Sequence, residues 1–256
     1  MEVGEVMGSQ SREPGRARAQ ELAELRRKMA AVPGRGESAA TRMPTSEGVR
    51  RPALPVPLAL AELLPDGGLV KGSVVAYSGA GSLLAGLLAA VTAGGGHAAV
   101  VGMPKLGLLA AAEMGAQLGR IAVVADPGPD MLEVAAVLLD GLDLVLLDLG
   151  GIAVAPARAK VIAARARNKG AVLVVTGGRW PAPSLRLGTR VVGYTGLGLG
   201  RGRLDSISLD VEVAGRASPP RTGGITLRQH DGRMEWTSRE TRAATEEPGD
   251  VRDAAS

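Results

Sequence analysis

Val74-Val75-Ala76-Tyr77-Ser78-Gly79-Ala80-Gly81-Ser82, followed by the apolar run from Leu83 to Val91, is the stretch on which the fold turns. Four apolar residues in a row read as a buried strand, the glycines as a turn, and the longer apolar run as a helix. Strand, glycine turn and helix make the context in which a P-loop wraps phosphates with backbone N–H groups. The motif G-x-x-x-x-G-K-[ST] also needs a second glycine for close approach, a lysine for the β/γ-phosphates and a hydroxyl for Mg²⁺. Counting from Gly79, those positions hold Leu84, Ala85 and Gly86. No Asp, Glu, Lys or Arg occurs between Lys71 and Lys105. A triphosphate here would find no cation in its own loop, so the scaffold reads as nucleotide-binding and the site does not. Gly79 and Gly81 are either remnants of phosphate binding or turn residues chosen for positive φ.

Outward from that stretch, residues 54–215 alternate strand and helix patterns. Strands are expected at 73–77, 98–102, 120–125, 142–148, 171–176, 189–195 and 205–213, with helices at 82–93, 106–118, 130–140 and 156–169. Asp130 and Glu133 have the spacing of a capping box, and Pro156 suits a first helical turn. Leu144 to Leu147 and Val172 to Val175 are apolar on both faces, as in parallel strands covered on both sides. The fold class is therefore α/β, a mostly parallel sheet with helices on both faces.

The flanks read differently. Residues 1–17 read as disordered. Residues 18–32 read as a helix with the stripe Leu22, Leu25 and Met29, and residues 33–53 as a flexible linker. Residues 216–237 contain a hairpin pattern, Ile225 to Arg228 and Arg233 to Thr237 around Asp231-Gly232, with Gly223-Gly224 as a hinge. Residues 238–256 read as a disordered tail.

Composition limits the function classes. The 256 residues contain no Cys, no Phe, two Trp, two Tyr and two His, with a net charge of +4. Disulfides and thiolate metal sites are excluded, and a histidine zinc site is poorly supplied. The core must be aliphatic, and aromatic base stacking is not a main binding mode. The uncharged span from Gly72 to Pro104 is broken by Gly94-Gly95-Gly96-His97, which argues for a buried core over a membrane span. The first 18 residues lack a signal-peptide pattern, and a cytoplasmic location is expected.

Gly68 to Gly79, the strand Leu144 to Asp148 and the strand Ala171 to Thr176 together resemble the RecA ATPase core. The likeness covers residues 54–215 and is closest to the ImuA-type mutasome proteins of actinobacteria, RecA-like with degraded motifs. That resemblance implies where catalytic parts should stand. Val100-Val101 leads into Gly102-Met103-Pro104-Lys105 where a water-activating glutamate would follow, and Thr176-Gly177-Gly178 stands where a glutamine would sense the γ-phosphate. Only Asp148 keeps Walker B character; it either binds Mg²⁺ or closes a turn. Phosphoryl transfer needs positioned cations and a water-orienting group, so no enzymatic activity and no cofactor are expected.

The resemblance further implies a non-catalytic adaptor of damage-induced translesion synthesis. Its partners would be an ImuB-like Y-family polymerase homologue and an error-prone replicative-type polymerase. Self-association would run through Leu22, Leu25 and Met29, and DNA contact through Arg186, Arg190, Arg201 and Arg203. Trp236 would be a partner anchor in a C-terminal segment free of the core, and Trp180 either a plug or an anchor. A RecA-like DNA-dependent ATPase with an atypical site and an SOS cell-division inhibitor are the alternatives.

Overall fold

The computed structural model describes residues 51–196, 204–216, 218–230 and 233–239. Its elements are β1 (Ala53–Leu54), α1 (Leu58–Ala61), β2 (Leu69–Val70), β3 (Val74–Ser78), α2 (Gly81–Ala93), β4 (Ala98–Val101) and α3 (Leu108–Glu113). After a 3₁₀ turn at Leu118–Arg120 come β5 (Ile121–Val124), α4 (Met131–Leu138), β6 (Leu144–Asp148), α5 (Pro156–Lys169) and β7 (Val172–Thr176). The chain continues with β8 (Leu185–Thr195), β9 (Ser206–Gly215), β10 (Arg221–His230) and β11 (Arg233–Arg239).

Nine strands form one sheet in the order β11-β10-β9-β8-β3-β7-β6-β4-β5. The β8-to-β5 part is parallel, and β8 to β11 pair antiparallel. The α/β class expected from the sequence is what the structure has. The parallel strands are uninterrupted aliphatic runs because both of their faces are covered. Alternate side chains feed two cores. Val75, Tyr77, Val100, Leu146 and Val174 pack under α2, α3 and the α1 segment. Val74, Ala99, Val101, Leu147 and Leu173 pack under α4 and α5. Each fully buried Leu or Val contributes about 1.5–3 kcal/mol by area, so an aliphatic core without Phe suffices.

β7 reaches β8 without a helix. Residues 177–184 cross the second face as an irregular, bent segment that bridges Arg179 to Ala153, and Trp180, 6% exposed, fills that core. Trp180 is a plug.

The helix ends hold one correction. Pro156 does open α5, and Gly170 closes it at φ 68 in the left-handed region. The capping box expected at Asp130 and Glu133 does not form, since Asp130 makes no side-chain cap. Both carboxylates turn instead to Arg158 of α5, at 3.9 and 3.3 Å. The same helix pair is tied by Asp140, which meets Arg165 at 2.5 Å and Lys169 at 3.7 Å. The hydrogen bond from Arg165 holds the Asp140 carboxyl below its ordinary range.

The hairpin expected from Ile225 to Arg228 and Arg233 to Thr237 forms, but it belongs to the core sheet instead of lying beyond it. β10 and β11 pair from Gly224↔Arg239 to His230↔Arg233, and β10 pairs along β9, so both are strands of the main sheet. Ile225 and Leu227 are 0% and 3% exposed in the first core. The physical reason lies in the alternation Ile225-Thr226-Leu227-Arg228, which offers one apolar face that only the core can cover. Gly223 is no hinge. A Cβ there would come within 2.5 Å of Leu63 Cδ2, so glycine serves close packing. The turn residues Asp231 and Gly232 lie outside the described residues, as do the expected N-terminal helix and most of its linker and of the tail. Among the described residues no helix is long and apolar enough to cross a membrane.

Candidate functional site

β3 delivers the chain to the position of a P-loop, but the connection is short. Only Gly79 and Ala80 separate Ser78 from the first residue of α2, Gly81. Leu84, Ala85 and Gly86 therefore sit inside the helix rather than in a loop. Leu84 and Ala85 are 2% and 1% exposed, packed into the first core. A Cβ on Gly86 would lie 2.5 Å from Trp236 Nε1 and 3.3 Å from Pro57 Cγ. The position of the motif lysine thus faces the core, away from any phosphate.

The turn itself is closed from β8. Ala80 N–H donates to Thr189 Oγ1 at 2.8 Å, and Thr189 Oγ1 lies 2.9 Å from the Tyr77 hydroxyl. Tyr77 donates its proton to the Ala80 carbonyl, which leaves Thr189 to donate to Tyr77. Gly79 has φ +116, and a Cβ on it would lie 2.0 Å from the Thr189 carbonyl oxygen and 2.3 Å from its Oγ1. A P-loop leaves its amides open towards an anion. Here the Ala80 amide, one of those donors, is already bonded, and β8 lies against the turn. Neither Thr189 nor Tyr77 is marked in the sequence as a site residue. They meet across 112 positions, and no local pattern reports such a pairing.

Two expected results follow. The protein should show no ATP hydrolysis above background, with or without DNA, in a coupled phosphate-release assay. Ala85→Lys should not create activity and should lower stability by several kcal/mol, because it drives an unpaired ammonium into an aliphatic core. The second result concerns Tyr77. It is 4% exposed, and burial pushes its phenol up to about 12, partly offset by the Thr189 hydrogen bond. The folded pKa lies above the unfolded one. The stabilisation is thus fully present below about pH 10 and is lost as pH rises towards 12, by roughly 2–3 kcal/mol. Denaturant midpoints measured across that window should fall, and should fall less in Tyr77→Phe.

Asp148 ends β6. Its Oδ1 accepts the Gly150 N–H at 2.9 Å, an Asx turn. Gly177, with φ +64 at the end of β7, lies against the same carboxylate, where a Cβ would stand 1.8 Å from Oδ1. This carboxylate closes a turn. Among the described residues no group of three or more His, Cys, Asp or Glu could hold a metal ion.

The arginines lie elsewhere. The second core contains no residue of β8 to β11, so among the described residues no helix of that core covers their side chains on that side. Arg186 and Arg190 project there from β8. Strand pairing adds Asp210 and Glu212 from β9, Arg228 from β10 and Glu235 from β11 to the same face. Arg190 pairs with Asp210 at 2.9 Å, and the other Asp210 oxygen takes Arg239 at 2.5 Å. A hollow of about 420 Å³ opens beside Arg190, Asp210, Glu212 and Thr222. The face is polar and mixed in sign. Arg201, Arg203, Leu22, Leu25 and Met29 lie outside the described residues. Trp236 is not a free anchor. It pairs with Leu227 and packs against the first core, over Gly86.

Similarity to other proteins centres on the parallel part of the sheet. The family model of the MT3502 N-terminal domain matches residues 62–182, which take in β3, the closed turn, α2 and the strands through β7. The uncharacterized protein Rv3395c of Mycobacterium tuberculosis is 51% identical over 164 residues, covering 60% of this chain and 80% of the mycobacterial one. The chain belongs to the same family as that mycobacterial protein.

Proposed function

We propose that the protein is a non-catalytic, RecA-like adaptor of damage-induced translesion DNA synthesis in the cytoplasm. It would bridge an ImuB-like Y-family polymerase homologue and an error-prone replicative-type polymerase, as its resemblance to ImuA-type proteins implies. The observation that carries the non-catalytic half is the closed turn. Thr189 and Tyr77 hold the backbone where phosphates would bind, and the motif-lysine position is inside the core. The same observation counts against the DNA-dependent ATPase.

The face of β8 to β11 that no helix among the described residues covers supports the adaptor half. Its alternating charges suit recognition of a protein, since complementary potentials fix partner choice and register. A sequence-blind phosphate track would be uniformly basic, and Arg190 is already paired to Asp210. Partner contact through this face replaces the Trp236 anchor inferred from sequence.

The test is affinity capture of the tagged full chain from DNA-damaged cells. Both polymerase components should co-purify, and Arg186→Glu with Glu235→Lys should deplete them at least several-fold while the fold is retained. Capture of a division protein instead would favour the SOS inhibitor. Failure to capture either polymerase component would sink the adaptor reading.

A further inference from the structure

We propose that the cavity at the N-terminal ends of β3 and β8, at the opposite end of β3 from the closed turn, is a binding site for a small phosphate monoester. It measures about 460 Å³, within the range of small-molecule sites. Basic residues from four separate segments line it. Arg51 precedes β1, Lys71 follows β2, Arg167 lies in the last turn of α5, and Arg216 follows β9. Against these four stands one acid in the lining, Asp66. Convergence of cations from distant parts of the chain is costly by mutual repulsion, and a bound dianion removes that cost.

The backbone is built to bring them together. Gly72 has φ +79, and a Cβ there would lie 2.9 Å from the Arg167 Cα. Only glycine lets the Lys71–Ser73 segment run this close to α5. Arg216 is held in place by the carbonyls of Ala182 and Pro183, to which its guanidinium donates. Arg51 and Arg167 have no ion-pair partner among the described residues, and Lys71 has only Asp143 at 3.7 Å. Ser73, Ser184 and Ser218 also line the cavity, and none of their hydroxyls is hydrogen-bonded among the described residues. Guanidinium forks and hydroxyls are the usual donors to phosphate oxygens.

The ligand class follows from the rest of the lining. Leu64, Val75 and Leu185 give the cavity an apolar wall, which free phosphate would leave unused and an organic body would cover. Asp66 can accept from a hydroxyl or amino group on that body. A long polyanion fits less well. Of the other basic residues of α5, Arg158, Arg165 and Lys169 are neutralised by Asp130, Glu133 and Asp140. That leaves Lys160 as the single one without an ion-pair partner among the described residues, and no continuous basic track out of the cavity.

Amide chemical shifts of the full chain, titrated with phenyl phosphate and separately with inorganic phosphate, test the assignment. Phenyl phosphate should saturate a single site centred on the amides of Ser73, Leu185 and Ser218, at least tenfold more tightly than inorganic phosphate. Arg51→Gln with Arg167→Gln should weaken it at least tenfold with an unchanged circular dichroism spectrum, because both residues are exposed and have no ion-pair partner among the described residues; Arg51→Gln alone should weaken it in the same direction. Shifts scattered over the surface, equal binding of the two phosphates, or an affinity that survives removal of the two charges would overturn the site.

Discussion

Deleting residues 216–256 should unfold the protein. The sequence invites the opposite expectation, a C-terminal segment that can be removed from an intact core. The sheet shows why that fails. β10 supplies Ile225 and Leu227, 0% and 3% exposed, to the core that also holds Leu209, Val211 and Val213. β11 adds Trp236 over Gly86, and Ser238 donates to Glu62 just after α1 at 2.5 Å. Burying two aliphatic side chains and most of an indole contributes about 5–8 kcal/mol by area. The buried indole N–H, which has no hydrogen-bond partner among the described residues, takes back about 1–3 kcal/mol. The truncated chain would also expose β9 as an unpaired edge. Against a total stability of about 5–15 kcal/mol, the loss is most or all of it. Circular dichroism and light scattering of the truncated chain should show an unfolded or aggregated protein. A monomer with native helix content would mean that the hairpin contributes little.

Gly79→Ala should be the most damaging single methyl in the molecule. The residue needs φ +116, which L side chains rarely adopt, and its new Cβ would meet backbone oxygen at 2.0 Å. A flexible neighbour could yield, but the Thr189 carbonyl belongs to the β8 ladder. Strained φ costs about 1–3 kcal/mol and overpacking a further 1–3 kcal/mol. A fall of about 4 kcal/mol should lower the melting temperature by roughly 8–16 °C. Gly95→Ala is the control for φ alone. It also has positive φ, at +87, yet nothing stands within 4 Å of its added Cβ. If the two variants melt together, β8 does not close the turn.

The parallel half of the fold was legible because its strands are aliphatic on both faces and its helices carry clear ends. Each of the seven expected strands exists, with boundaries shifted by a few residues; β8, for example, begins at Leu185 instead of 189. β1, α1 and β2 were missed because two to four residues carry no period to read. The helix expected at 106–118 shrinks to Leu108–Glu113, since Gly107 and Gly115 interrupt it and Gly115 adopts φ +97. The loss of phosphate chemistry was legible in Leu84, Ala85 and Gly86. The means of closure was not, because Thr189 becomes meaningful only once β8 is known to lie beside β3. Gly223-Gly224 misled for a related reason. Glycine pairs signal freedom in a sequence, but in a sheet they also mark where another group comes close, here Leu63 and Arg239.

The two tryptophans make the sheet its own spectroscopic instrument. Trp180 lies in one core and Trp236 against the other, in a chain with no Phe and two Tyr. Each indole therefore reports on one side of the same strands, and Trp180→Phe or Trp236→Phe leaves a fluorescence signal from a single side. Superimposable unfolding curves from the two variants would mean that both layers dissolve in one cooperative event. Separated curves would reveal a partly unfolded species in which one helical layer has detached while the other still grips the sheet.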